Sequence, residues 1–436
     1  MKLRAELPGS IDLLEVHRQA PERYPFLLQS AAGHPQSGRY DLLFGFPGQR
    51  LSGRDGFARL TAEWSNARCE PDPELPFLGG WFLLLGYEAA TDLEPRLRLP
   101  PSPYRLPDFL AVRCTAVMIH DRELSLTHLF AEDDPSQLEA MRNAWSSASS
   151  LAPPGEPPAV LVEALQEDLP SAFLQGVGRI QDYLLAGDCF QVNLSRGWRG
   201  RLRPGIDATT VYRALRRHNP APFAGLAQVD GVSVLSSSPE RLVQVCGDRV
   251  QTRPIAGTRP RGQGDNDQAL RVQLIGSLKE RAEHVMLIDL ERNDLGRVCR
   301  PGSVEVSELM DLESYAHVHH IVSNVRGRLR DGVGPGDILA AVFPGGTITG
   351  CPKVRSMEII AELERVGRGP YTGSMGYLSR CGRLDSNILI RSLVIQDGQV
   401  SLRAGAGIVA DSVAELELAE TRIKARGLLL ALGAGV

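Results

Sequence analysis

The sequence predicts an α+β fold, with antiparallel or mixed sheets and helices packed outside them. Strand-like runs succeed one another across tight turns, as where Leu393 to Leu402 is broken only by Asp397-Gly398. Helical periodicity falls in separate blocks rather than alternating one for one with strands. AGAGIVA (404–410) matches G-x-G-x-x-A, but no later strand follows to carry a ribose-binding acid, which argues against a doubly wound dinucleotide fold.

In chain order, strands are expected at Phe26-Leu27-Leu28, Tyr40 to Phe44 and Ala111 to Ile119. In PFLGGWFLLLGYE, Gly79-Gly80 and Gly86 punctuate an apolar run. LAPPGEPPAV (151–160) follows SSASS and reads as a linker, because Pro and Gly dominate it. It divides a leading region, 1–150, from a larger region, 161–436. There, helices are expected over 172–186, 267–290, 353–366 and 412–432, with a further strand at Val232 to Leu235. Pro352 suits a first helical turn, and Asp411-Ser412 offers caps for the last helix.

Composition removes several functions. The 436 residues carry a net charge of -4 and no basic stripe interleaved with aromatics, so nucleic acid is not an expected partner. Arg213-Arg216-Arg217 and Arg326-Arg328-Arg330 read as solvated faces. No apolar run is long enough to cross a membrane, and the N-terminus has no apolar signal region. The seven cysteines are scattered without a CxxC, as expected of reduced thiols in the cytoplasm. Without CxxC or HExxH, zinc is not expected, and Cys299 and Cys351 have no evident activating partner.

Chemistry concentrates late in the chain. Glu280/Glu283 and Glu417/Glu420 are acidic pairs at helical spacing, each pair sharing one helix face. Four carboxylates around one point repel unless solvent or a hard divalent cation intervenes. Lys424, one turn beyond Glu420, together with nearby Gly-rich loops, suggests that an anionic small molecule shares the site. These features point to a magnesium enzyme with a carboxylate-bearing substrate. AGAGIVA then reads as a nest of backbone N–H groups at a helix start. PGGTITGCPK (344–353) lacks the Gly-Lys-Ser/Thr of a phosphate loop, though Thr347 and Thr349 can bond a polar ligand. In SSSPERL (236–242), Glu240 follows a Pro turn at a strand end, where burial would make it a general acid.

Taken together, these motifs resemble the chorismate-utilising enzyme family, which includes the large subunits of anthranilate synthase and aminodeoxychorismate synthase. The match runs through GDCFQVNLSR (187–196), SSSPERL, RPIAGTRPRG (253–262), KERAEHVMLIDLERNDLGRV (279–298) and VHHIVS (318–323). It continues through PGGTITGCPKVRSMEII (344–360), GPYTGSMGYLS (369–379), IRSLV (390–394) and AGAGIVADSVAELELAET (404–421). The leading region matches more weakly, through FLLQS (26–30), RYDLLF (39–44) and PFLGGWFLLLGYE (76–88).

The resemblance implies two packed antiparallel β-sheets with helices outside, as in anthranilate synthase component I. It implies a leading region that completes the sheet core and holds the remnant of a tryptophan pocket. It makes Glu283 and Glu420 the main Mg2+ ligands, with Glu280 and Glu417 supporting. Glu240 is the implied general acid. Tyr371, Arg391, Gly407 and Lys424, with Gly405 and Ala406, are the implied carboxylate-binding groups, and Thr258, Thr347 and His320 line the pocket. Gln191 stands where water-using members have Lys, and a Gln cannot act as a base, so ammonia rather than water is the implied nucleophile.

Between the two aminating branches, Asn193 in QVNLS, His319 in VHHIVS, GSMGYLSRCG and the short leading region resemble aminodeoxychorismate synthase. Gln29 in FLLQS replaces the Glu typical of the tryptophan-inhibited branch. Ala256 in PIAGT disagrees, because that branch carries a Lys there, whereas anthranilate synthase has Ala. No glutaminase domain is recognisable in the chain, which implies a separate glutamine amidotransferase subunit as the ammonia source. A silent chorismate- or tryptophan-binding regulator is the reading from another class, and the retained Glu240, Glu283, Glu420 and Lys424 argue against it.

Overall fold

A computed structural model of the chain describes residues 3–30, 38–151, 155–262, 264–314 and 318–434. Its fold is α+β. The strand pairings are antiparallel, and hydrogen bonds link the described strands into one network of twenty. The leading region is woven into that network. Phe26–Gln29 pairs with Phe223–Val229, and Gly80–Leu85 pairs with Ser374–Ser379. Gly80–Leu85 is buried at every residue, which explains why it reads as a continuous apolar run without alternation.

The hairpin expected around Asp397-Gly398 forms between Ser392–Gln396 and Gln399–Ile408. Both turn residues have positive φ, 53° and 72°, which matches the right-handed twist of the flanking strands. Of the linker, residues 152–154 lie outside the described residues, and 155–160 forms neither helix nor strand. Beyond it, Val162–Glu167 pairs with Gln191–Leu202.

Several boundaries differ from expectation for local reasons. The helix expected over 267–290 is two, Asp265–Gly276 and Leu278–Gly296. Ser277 turns extended between them, and its hydroxyl accepts from the Glu280 N–H, so a good N-cap wins over helix continuation. Pro352 is the N-cap of Lys353–Glu364 rather than a first-turn residue. Asp411-Ser412 does not cap the last helix, Ala414–Leu432, whose N-cap is Val413. Ser412 is engaged otherwise: its hydroxyl accepts from the Val409 N–H and donates to Glu417. Nor are Arg213 and Arg216 solvated, since they pair with Glu15 and Asp12 of the leading region.

The Gln191–Leu202 and Gln399–Ile408 strands lie side by side, with Asn193 opposite Gly407 and Ser195 opposite Gly405. Their side chains divide by period two. Val192, Leu194, Ala406 and Ile408 enter an apolar cluster with Phe173, Val177 and Ile180 of helix Pro170–Leu185 and Ile359 and Ile360 of Lys353–Glu364. Each Val, Leu, Ile or Phe buried there contributes about 1.5–3 kcal/mol. Gln191, Asn193, Arg403, Gly405 and Gly407 line a cavity instead. Among the described residues no helix is long and apolar enough to cross a membrane.

Candidate active site

The cavity measures about 460 Å³. Helix Ala414–Leu432 presents Leu416, Glu417, Ala419, Glu420, Ile423 and Lys424 to it, the i, i+3, i+4, i+7 spacing of one helix face. Helix Leu278–Gly296 presents Glu280, Glu283 and Leu287 in the same way. The strands contribute Gln191, Ala256, His320, Gly405 and Gly407, and loops and turns bring Glu240, Thr347, Tyr371 and Arg391. Residues expected from nine separate sequence motifs thus meet at one space. One expected residue stands apart. Ala406 points away, into the apolar cluster behind the sheet, because it is one residue out of phase with Gly405 and Gly407. Thr258 pairs with His320 across the strands, but its side chain lies outside those described.

Glu240 sits between the Val232–Ser238 and Arg241–Cys246 strands. Its N–H donates to Ser238 Oγ and its carbonyl accepts from the Ile388 N–H, so the backbone is held at both ends. Thr347 Oγ1 donates to Glu240 Oε1 at 2.8 Å. Burial pushes the Glu240 carboxyl up to about 7, against the smaller opposing pull of Thr347. It therefore holds a proton to near neutrality and can donate it. His320 is pushed down to about 4, first by burial and then by the charge of Arg391, so it is neutral there. Its Nδ1 lies 3.2 Å from the Gly257 carbonyl, which makes Nδ1 the protonated nitrogen and Nε2 an acceptor.

The cationic part of the cavity is built from Arg391, Lys424 and, behind Tyr371, Arg403. Arg391 has φ 52°, a left-handed conformation that costs a non-glycine residue roughly 1 kcal/mol and that surrounding structure must hold. Lys424 Nζ donates to the Gly405 carbonyl at 3.1 Å and pairs with Glu420 at 2.6 Å. The GAG segment is strand, not a helix-start nest: residues 404–408 continue the ladder, and the helix begins only at Ala414. Its glycines are needed for approach. A Cβ at Gly407 would lie 2.3 Å from Gln191 Nε2, and one at Gly405 would lie 2.6 Å from Asn193 Oδ1.

The acidic pairs face the same space from two helices. Glu280 accepts from Arg259 at 3.1 Å, Glu417 accepts from Ser412 at 2.7 Å, and Glu420 is held by Lys424. Among the described residues no three His, Cys, Asp or Glu side chains stand close enough together to hold a metal ion. The donor chemistry nevertheless suits a hard dication, because all four groups are carboxylates lining one cavity.

Asn193 and Arg403 line the cavity without having been singled out as binding groups from sequence. Asn193 and Gln191 share a strand face, and Asn193 Oδ1 and Gln191 Oε1 are both buried without a hydrogen-bond partner. Such acceptors are costly to leave unmade, so they await a donor. Arg403 lines the wall beside Tyr371. Counting back by two from Gly407 and Gly405 would have found it, because that period defines the cavity face of the strand.

A family model described as chorismate binding enzyme matches residues 47–430. The chain is 41% identical to anthranilate synthase component 1 of Thermus thermophilus, over 99% of this chain and 94% of that one. It is 39% identical to aminodeoxychorismate synthase component 1 of Bacillus subtilis, over 94% of this chain and 92% of that one. Among solved structures, anthranilate synthase component I from Streptococcus pneumoniae matches with a TM-score of 0.80 and 30% identity, over 91% of this chain and 93% of that one. The convergence of nine motifs on one cavity is thus accompanied by likeness over nearly the whole length, and the chain belongs to the family of chorismate-binding enzymes.

Proposed function

We propose that this chain aminates chorismate with ammonia at a magnesium site, forming 4-amino-4-deoxychorismate and water. The observation that carries the reading is the pair Gln191 and Asn193, side by side in the cavity with unmet amide oxygens. They can accept hydrogen bonds from ammonia but cannot deprotonate water. Asn193 also occupies a position where the anthranilate branch often has an apolar residue. Ammonia adds to the ring, and the departing hydroxyl takes the Glu240 proton and leaves as water. The proton shed by the new ammonium group restores the acid. Arg391, Tyr371 and Lys424 hold the carboxylates. Glu283 and Glu420, supported by Glu280 and Glu417, would hold Mg2+, which when bound supplies positive charge to the ring carboxylate and to the departing oxygen. Ammonia comes from a separate glutamine amidotransferase subunit.

A second reading, anthranilate synthase component I, is favoured by one observation. Ala256 lines the cavity and offers no nucleophile for a covalent lysine intermediate. Under the first reading, ammonia itself must be the first group to add. Incubation with chorismate, Mg2+ and ammonium, with and without aminodeoxychorismate lyase, decides between them. p-Aminobenzoate that appears only with the lyase supports the first reading, and anthranilate formed without it overturns that reading. Glutamine is expected to replace ammonium only when a cognate amidotransferase is added.

A further inference from the structure

The wall behind Tyr371 buries more positive charge than its own carboxylate neutralises. Arg403 is 8% exposed and lines the cavity. Its Nε and Nη2 donate to Ser195 Oγ, and Nη2 also donates to Glu364 Oε2 at 2.8 Å. Glu364 is shared, because Arg368 reaches both of its oxygens, at 2.7 and 3.1 Å. Glu364 Oε1 accepts in addition from the Ser195 N–H and hydroxyl, so its capacity is used up. Arg368 spends its remaining donors on the Asn193 and Ile348 carbonyls and on Thr372. Nearby Glu88 is occupied by the backbone N–H groups of Arg368 and Gly369.

One carboxylate therefore serves two buried guanidiniums. The hydrogen bonds that hold Arg403 run through Nε and Nη2. A buried charge in excess is expensive unless an anion completes it, and the space beside Arg403 is the cavity. The Arg403 guanidinium lies 6.0 Å from the Tyr371 ring centroid, and Arg391 lines the same cavity. Glu364 and Ser195 fix Nε and Nη2 of Arg403, so the guanidinium is held in place with Nη1 left to donate to a carboxylate.

We propose that Arg403 is a further substrate-binding, specificity-determining residue, whose guanidinium takes the side-chain carboxylate of the ligand alongside Arg391 and Tyr371. The proposal rests on the reading of the cavity as a chorismate site. It does not depend on which aminated product forms.

The test compares dissociation constants of chorismate and of its derivative with the side-chain carboxylate converted to a primary amide. Wild type, Arg403→Gln and Arg403→Lys are measured, each with its melting temperature. Wild type should bind the amide roughly 10- to 100-fold more weakly, the loss expected for a charge-assisted contact. Arg403→Gln should bind chorismate more weakly by a similar factor and lose most of its discrimination between the two ligands. Arg403→Lys keeps a cation opposite Glu364, so it should fold if the Gln variant does not, and it should discriminate less than wild type. A purely structural role would weaken both ligands alike. Variants that bind more weakly but discriminate as strongly as wild type would overturn the assignment of Arg403. Wild type that does not bind chorismate at all would overturn the substrate reading, a distinct result.

Discussion

Glu240 owes its chemistry to its surroundings. A carboxyl group that stays protonated to about 7 is a useful acid at neutral pH, and here burial, not a neighbouring anion, is the largest cause. Glu240→Gln should keep the fold and the affinity for chorismate while lowering kcat by roughly 10²- to 10⁴-fold. The pH profile carries the sign. Expressed per free ammonia, kcat/KM should fall as pH rises through about 7, because the acid loses its proton, and this limb should vanish in the residual activity of the Gln variant. In the proposed reaction Gln191 governs a different step. Gln191→Lys puts a base on the cavity wall where two amide oxygens now wait for a donor, and it should divert turnover to a nitrogen-free product formed with water. Mass analysis of the products with and without ammonium reads this directly.

At the scale of elements, the site depends on a close approach between two paired strands. Gly407→Ala would drive a methyl group into the Gln191 amide, 2.3 Å away, so it should displace that side chain rather than unfold the sheet. A shift of about 1 Å at a reacting group costs about 10²-fold in rate, and kcat should fall by that order with a smaller change in chorismate affinity. On the two acidic helices, Glu283→Gln or Glu420→Gln should raise the Mg2+ concentration needed for half-maximal activity, and the Glu420 change should also release Lys424. Much of this was legible in sequence, because helical spacing alone puts Glu280 with Glu283 and Glu417 with Glu420 on shared faces. The strand phase of AGAGIVA was not, since its glycines read as a turn while the ladder to Gln191–Leu202 keeps them extended. The resemblance brought Ala406 into the site along with Gly405 and Gly407, while the strand phase puts Ala406 behind the sheet and Arg403 on the cavity face. The break at Ser277 was missed because a continuous apolar period hid a good cap.

For the whole molecule, the site's chemistry has a cost in stability that pH exposes. Burial raises Glu240 and Glu88 to about 7, and Glu291 is also raised. The native state keeps protons that the unfolded chain releases near 4.5, so these groups make stability fall as pH rises from about 4.5 through 7. Buried histidines act in the opposite sense. His284 and His320 fall to about 4, the unfolded chain binds their protons up to 6.5, and stability therefore rises with pH between those values. The two effects oppose each other up to about 6.5. Above that, unfolded histidines are neutral and only the raised carboxyls still titrate. Melting temperature, measured with chelator and without chorismate, should vary little between about pH 5 and 6.5 and then fall toward about pH 8. Glu240→Gln and Glu88→Gln should each make that fall shallower, because an amide has no proton to lose. An undiminished fall in both variants would mean that other groups set the alkaline limit, and that holding the acid protonated costs the fold little.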